Sequence, residues 1–167
     1  MIDSTNICLA CGLCCDGTLI GFVQVSHDEL PAIKELMAVE EASSDGVFIQ
    51  PCSKYCDGCT IYSQRPKQCA SYDCELLKSF QQKELDYTSA IEIIEEAKQR
   101  KRAIEEKLAL LPIKLQSQSF YFQMAELEKL YQKNEHALAS TQAFKDLITD
   151  IKQLDDLLSK KFGVTVF

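Results

Sequence analysis

The sequence nowhere reaches the roughly 18 consecutive apolar residues that a membrane-spanning helix needs, so we expect no transmembrane helix and no membrane partner. Residues 1–15 lack a basic segment followed by a long apolar stretch, so we expect no secretory signal and a cytoplasmic chain. There is no internal repeat and no low-complexity segment. No phosphate-binding loop, dinucleotide fingerprint or Ser/His/Asp arrangement can be traced. The acids are too scattered to mark a paired-carboxylate site, and we assign no catalytic residue. Cysteine is absent after Cys74, so all nine cysteines fall in the first 74 residues.

That density needs a chemical explanation. Disulfides require an oxidising compartment, to which nothing in the sequence directs the chain, and an odd count leaves one thiol over. Buried structural thiols suit a lone cysteine better than clustered short spacings. Metal ligation by thiolates is the favoured reading. The first cluster is Cys8-x2-Cys11-x2-Cys14-Cys15, and the second is Cys52-x3-Cys56-x2-Cys59 followed by Cys69-x4-Cys74. A CxxC turn brings both sulfurs to one side. Cys14 and Cys15 are adjacent, and successive side chains of an extended backbone point to opposite faces, so the two should serve different ions or different corners of one cluster. Two four-coordinate sites would use eight thiolates and leave one over, for which Cys56 is our candidate.

Charge is unevenly spread. Residues 1–74 hold four Lys/Arg and ten Asp/Glu, a net of −6, whereas residues 75–167 hold fourteen and fifteen, a net of −1. Bound thiolates would make the first part more negative still. A phosphate-binding face needs positive potential, so we expect no nucleic-acid partner despite the CxxC spacing.

The segments CLACGLCCDG at 8–17 and PC-x6-CTIYSQRPKQCASYDC at 51–74 resemble the zinc- or iron-chelating cysteine-cluster family, the YkgJ-like CxxCxxCC proteins. The resemblance covers about the first 75 residues. Carried over by position, it implies Cys8, Cys11, Cys14, Cys15, Cys52, Cys59, Cys69 and Cys74 as metal ligands, while Cys56 matches no family position. A related cysteine motif looks present in flagellin lysine methylases, which use an iron–sulfur cluster, and this keeps a redox enzyme in play by analogy. Zinc is the expected metal, because a tetrahedral thiolate site needs no special spacing. Iron or an iron–sulfur cluster is the alternative. The run from Cys8 to Cys14 resembles the first three ligands of a bacterial ferredoxin, but Cys15 follows directly where the fourth would come three residues later before a proline.

The expected fold is mainly α, with a small metal-stapled, cysteine-rich N-terminal region carrying short β-strands over 1–75 and a helical extension or hairpin over 76–167. Cys8 to Asp16 reads as a tight knuckle, with Gly12 and Gly17 permitting sharp turns. Thr18 to Val25 reads as a short strand. Ser26 and Glu29 form a capping box opening a helix that runs to about Glu41. Ser43 to Gly46 is a turn, Val47 to Gln50 a second strand, and Pro51 to Cys74 loop-like. Ser89 and Glu92 form another capping box. Ile91, Ile94, Ile104, Leu108 and Leu111 then recur at helical spacing until Pro112. A helix from about Ser119 carries Met124, Leu127 and Tyr131. After a break at Asn134 to Thr141, a last helix carries Phe144, Leu147, Ile148, Ile151, Leu154, Leu158 and Phe162 and ends at Gly163. The tail Val164 to Phe167 either pairs as a strand or packs loosely.

The remaining singular residues are weighed against ordinary structural roles. The run Lys98 to Arg102 reads as a solvated helix face, because Glu96–Arg100, Lys101–Glu105 and Arg102–Glu106 are i,i+4 pairs. Tyr62 and Pro66 read as packing and turn residues. Arg65 either offsets thiolate charge or pairs with a carboxylate. His27 reads as a surface residue at a helix cap, and His136 carries no role. Three function classes fit: a metal-binding module with mainly structural ions and a helical surface for a protein partner; an iron–sulfur protein in electron transfer or a modification reaction; and a metal carrier or thiol sensor. Closed four-thiolate sites favour the first, since catalytic zinc keeps an open position.

Overall fold

Helical spacing of apolar residues dominates the second half of the chain, and it builds the larger of two cores. A computed structural model describes residues 4–133 and 141–167. Helix α5 (Tyr87–Ala109) buries Ala90, Ile94, Ala97 and Ile104 at helical intervals. Its N-cap is Asp86, whose carboxylate accepts from the Ser89 backbone N–H at 2.8 Å. The expected capping box therefore lies three residues later than the real cap, because Asp is as good a cap as Ser and Tyr87 starts the helix. Helix α6 (Phe120–Lys133) buries Phe120, Met124 and Leu127. Helix α7 (Gln142–Phe162) carries a continuous apolar stripe from Phe144 to Phe162. It is capped by Thr141 Oγ1, which accepts from Phe144 N at 3.3 Å, and it stops at Gly163, which adopts φ +72°. The break expected from Asn134 and the residue His136 lie outside the described residues. The C-terminal tail packs rather than pairs: Val166 and Phe167 both donate backbone N–H to Asp155 Oδ1, and Val166 is buried.

The N-terminal segments join this core instead of standing apart. Helix α1 (Ser4–Cys11) supplies Ile7 and Cys11, the following turns supply Leu13 and Leu19, and helix α4 (Glu75–Gln81) supplies Leu76 and Leu77. The expected knuckle is thus half helix: Cys8 and Cys11 stand one turn apart on α1, and only Gly12 to Gly17 turns. A CxxC spacing satisfies both geometries, since i and i+3 share a helix face.

A second, smaller core lies under a three-stranded antiparallel sheet of order β1-β3-β2, with β1 at Phe22–Val25, β2 at Glu40–Ala42 and β3 at Asp45–Ile49. Phe22 faces Ile49 and Val25 faces Gly46 across the β1–β3 pair, while Glu40 faces Val47 across β2–β3. Val23, Val25 and Phe48 point inward onto Leu30, Ile33 and Met37 of helix α2 (Leu30–Leu36) and the residue after it. The first strand is shorter than expected. Thr18 is diverted into a turn closed by Asp16, whose Oδ1 accepts from both Thr18 N and Thr18 Oγ1. Helix α2 is also shorter, ending at Leu36 rather than near Glu41, because residues 40–42 gain more backbone hydrogen bonds by pairing with β3. Between the sheet and α4, residues 51–74 hold a 3-10 turn at Tyr62–Gln64 and one short helix, α3 (Lys67–Ser71). No helix among the described residues is long and apolar enough to cross a membrane.

Candidate metal centre

The two cores meet at a cavity of about 310 Å³. Cys8, Cys11, Cys14, Cys15, Cys52, Cys59, Cys69 and Cys74 all line it, and all are free thiols. Cys56 is exposed and is not part of the wall. Each element delivers its cysteines for a local reason. Helix α1 presents Cys8 and Cys11 one turn apart. Gly12 leaves the helix at φ +70°, directly beneath Tyr55, whose ring lies 2.5 Å from where a Cβ would stand. The chain then turns through Cys14 and Cys15. Cys15 O accepts from Cys52 N at 2.8 Å, which ties the first cluster to the start of the second. Cys69 sits in α3, anchored by Glu29: one carboxylate oxygen accepts from Lys67 N at 2.8 Å and the other from Ser26 N at 3.1 Å. The expected reach-back of Glu29 to Ser26 is present, but Ser26 is not the N-cap: its Oγ donates to Asp28, α2 starts after Glu29, and the Glu29 carboxylate also holds the first turn of α3. Cys74 stands at the N-cap of α4.

The thiols divide into two electrostatic neighbourhoods. Cys14 is raised well above the usual thiol range by burial, and then by the charges of Cys11, Cys74, Cys15 and Cys8. Cys11 is pushed up to about 12 by burial, with Cys74 and Cys8 adding to the effect and Lys98 opposing it. Cys74 is raised by burial and by Cys8, partly offset by the backbone N–H groups of Leu77 and Leu76. The other set centres on Cys15, pushed up to about 12 by burial and then by Cys59, Cys52 and Cys69. Cys69 is likewise pushed up to about 12, by burial, Cys52 and Cys59. These neighbourhoods group Cys8, Cys11, Cys14 and Cys74 as one quartet and Cys15, Cys52, Cys59 and Cys69 as the other, with Cys15 bearing on Cys14 across the boundary. Neither sequence cluster forms a quartet alone. The division follows the two cores: Cys8, Cys11, Cys14 and Cys74 pack with the helices, and Cys52 and Cys69 pack with the sheet.

Among the described residues, no three His, Cys, Asp or Glu side chains stand in an arrangement that could hold a metal ion as it is. The fit of a metal rests instead on the chemistry of the donor set and on one orphaned polar atom. Four soft sulfur donors per neighbourhood suit zinc or iron. Gln50, 2% exposed and on the cavity wall, leaves its side-chain Oε1 without a hydrogen-bond partner. Buried polar atoms are nearly always satisfied, so an orphan beside this cavity is consistent with a wall built around a further group.

The other residues singled out in the sequence fall on both sides of the wall. Tyr62, Arg65 and Pro66 line it. Tyr62 shares the wall with Cys8 and draws its thiol down against the upward push of burial, so it does more than pack. Arg65 Nη1 donates to Tyr62 O at 2.7 Å, and its guanidinium lies 3.7 Å from the centre of the Tyr62 ring. His27 is exposed; its ring nitrogen Nδ1 lies 3.0 Å from Ser44 O, away from the cavity. Gln50 lines the cavity without any sequence signal. Tyr72, the tyrosine of the family-like CASYDC segment, also lines it and is raised by burial and by Cys14 and Cys74. The run at 98–102 is only partly a solvated face. The Arg100–Glu96 and Lys101–Glu105 pairs form as expected, but Lys98 Nζ donates to Ala10 O at 2.7 Å, and Lys101 lies 3.5 Å from the half-buried Asp16. These lysines fasten α5 to the cysteine segment. Against this geometry, no family model, curated protein or solved structure matches the chain.

Proposed function

We propose that the protein is a metal-binding module in which Cys8, Cys11, Cys14 and Cys74 hold one metal and Cys15, Cys52, Cys59 and Cys69 hold another, with zinc as the favoured ion. The observation that carries this reading is the gathering of eight thiols on one cavity wall, Cys8, Cys11, Cys14 and Cys74 among the helices and Cys52 and Cys69 against the sheet, with the ninth cysteine outside. Four thiolates complete the coordination of zinc, so the ions are mainly structural, and the helical half offers the surface for a protein partner. The resemblance to the YkgJ-like proteins points the same way, since the eight positions it implies are the eight on the wall.

A bound zinc ion would take the deprotonated thiols of each quartet as its ligands, so binding would release protons and staple the segments that carry them. One observation favours iron as the second reading: a cavity of about 310 Å³ shared by both quartets has room for a polynuclear cluster.

Metal analysis of protein purified without oxygen tests both. Two zinc ions per colourless chain are expected. A brown chain containing iron and acid-labile sulfide selects the second reading. A chain that takes up neither metal when supplied with it refutes the module altogether.

A further inference from the structure

Arg65 enters no ion pair among the described residues, although acidic side chains are plentiful. It is nonetheless fixed. Its Nη1 donates to the Tyr62 carbonyl, its plane lies over the Tyr62 ring, and the buried Pro66 follows it directly. Tyr62 in turn lines the cavity beside Cys8. From this seat Arg65 lines the same cavity as Cys8 of one quartet and Cys69 of the other, and its charge opposes the upward push of burial on both thiols. An anionic ligand for Arg65 is disfavoured, because it would sit beside up to eight thiolates. The sulfurs themselves are the anions within its field, and each divalent ion in four thiolates carries a net charge of roughly −2.

We propose that Arg65 is a positioning residue shared by both thiolate sites, its guanidinium locked on Tyr62 so that it offers N–H donors and positive charge to sulfurs of each quartet. The inference rests on the metal reading above. Arginine suits the role because its planar fork presents several donors at once and keeps its charge at every accessible pH. Groups that orient metal ligands from outside the coordination shell typically contribute about 10- to 100-fold in metal affinity, which sets the expected size of the effect.

The test is competition for zinc against a chromophoric chelator in full-length protein. Arg65→Gln and Arg65→Lys are made in the parent, in a Cys8→Ser background and in a Cys69→Ser background, so that each quartet can be followed while the other is impaired. Arg65→Gln is expected to lose about 10- to 100-fold in affinity at both quartets, and Arg65→Lys to recover part of that loss at both. A purely structural part in the 62–66 turn predicts no recovery by lysine, and that result overturns the proposal. So does parent-like affinity in Arg65→Gln, or a loss confined to one quartet. If Arg65→Gln does not fold, Arg65→Lys decides: a smaller loss at both quartets supports sharing, and no loss or a one-sided loss overturns it. A parent chain that binds no zinc removes the metal reading and this inference together, whereas zinc-binding parent with an equally tight Arg65→Gln removes this inference alone.

Discussion

The helical core and the sheet core differ more in how much they bury than in what they bury. Among the described residues, twenty-one buried side chains join the first and six the second. The helical core draws on five helices and carries Phe120, Phe144 and Phe162. The sheet core has Val23, Val25, Leu30, Ile33, Met37 and Phe48 under short strands. Short strands and six buried side chains give little burial to set against the entropy of ordering residues 20–74. A cluster of thiols at the rim of the small core is where a metal would supply what burial does not. The larger core needs no such help.

Stripping the metal is the sharpest way to break this asymmetry. The strands and residues 51–74 should lose protection from hydrogen exchange, while the helical signal of α5, α6 and α7 persists. A metal-free chain that keeps its sheet-side amides protected would show that the small core stands alone. Next in size, Leu154→Ala removes a fully buried side chain from α7 and should cost about 2–5 kcal/mol in denaturant melts, with or without metal. Ile33→Ala in the small core should instead be far more visible once the metal is gone.

pH sharpens the same comparison from the thiol side. Cys11 packs in the helical core and is pushed from 9.0 up to about 12, chiefly by burial. Its folded pKa lies above its unfolded value, so the neutral thiol's contribution is complete below about 9 and lost as pH climbs toward about 12. The metal-free protein should therefore melt at progressively lower temperature across that window. Metal-loaded protein, whose thiols are already ionised, should escape this loss, and metal-free Cys11→Ala should show a smaller decline. An identical slope in parent and variant would mean other groups govern it.

Gly12→Ala combines a left-handed backbone with a Cβ aimed at the Tyr55 ring, and should cost about 1–3 kcal/mol while loosening the cysteine turn. The smallest effect belongs to Cys56→Ser. Cys56 is exposed and off the wall, so the variant should bind as much metal as the parent; losing about half would make it a ligand.

Much of the helical half was legible because periodicity is a local signal. The burial of Ile94, Ile104, Met124, Leu127 and the α7 stripe follows from spacing alone, and Gly163 marks the end of α7 by its freedom at positive φ. The eight cysteines on the wall were legible by type and density. What spacing could not convey was partnership. Adjacency already set Cys14 and Cys15 apart, but not which distant cysteines each would stand near: Cys74 packs with Cys8, Cys11 and Cys14 against the helices, while Cys15 is tied through its carbonyl to Cys52. The ends of α2 and β1 were misjudged for a related reason: strand pairing and the Asp16 turn are long-range or side-chain choices that override local propensity.

By itself, then, the sequence determined that the protein is mainly helical and that its thiols are confined to one end, because composition and periodicity act over a few residues. Tertiary structure alone decided that Lys98 and Lys101 turn inward to the cysteine segment, that Arg65 stacks on Tyr62 at the cavity wall, that the Gln50 side-chain oxygen is buried without a partner, and that Cys74 packs into the same core as Cys8, Cys11 and Cys14. Each depends on distances between residues far apart in the chain, which packing sets and spacing along the sequence does not record.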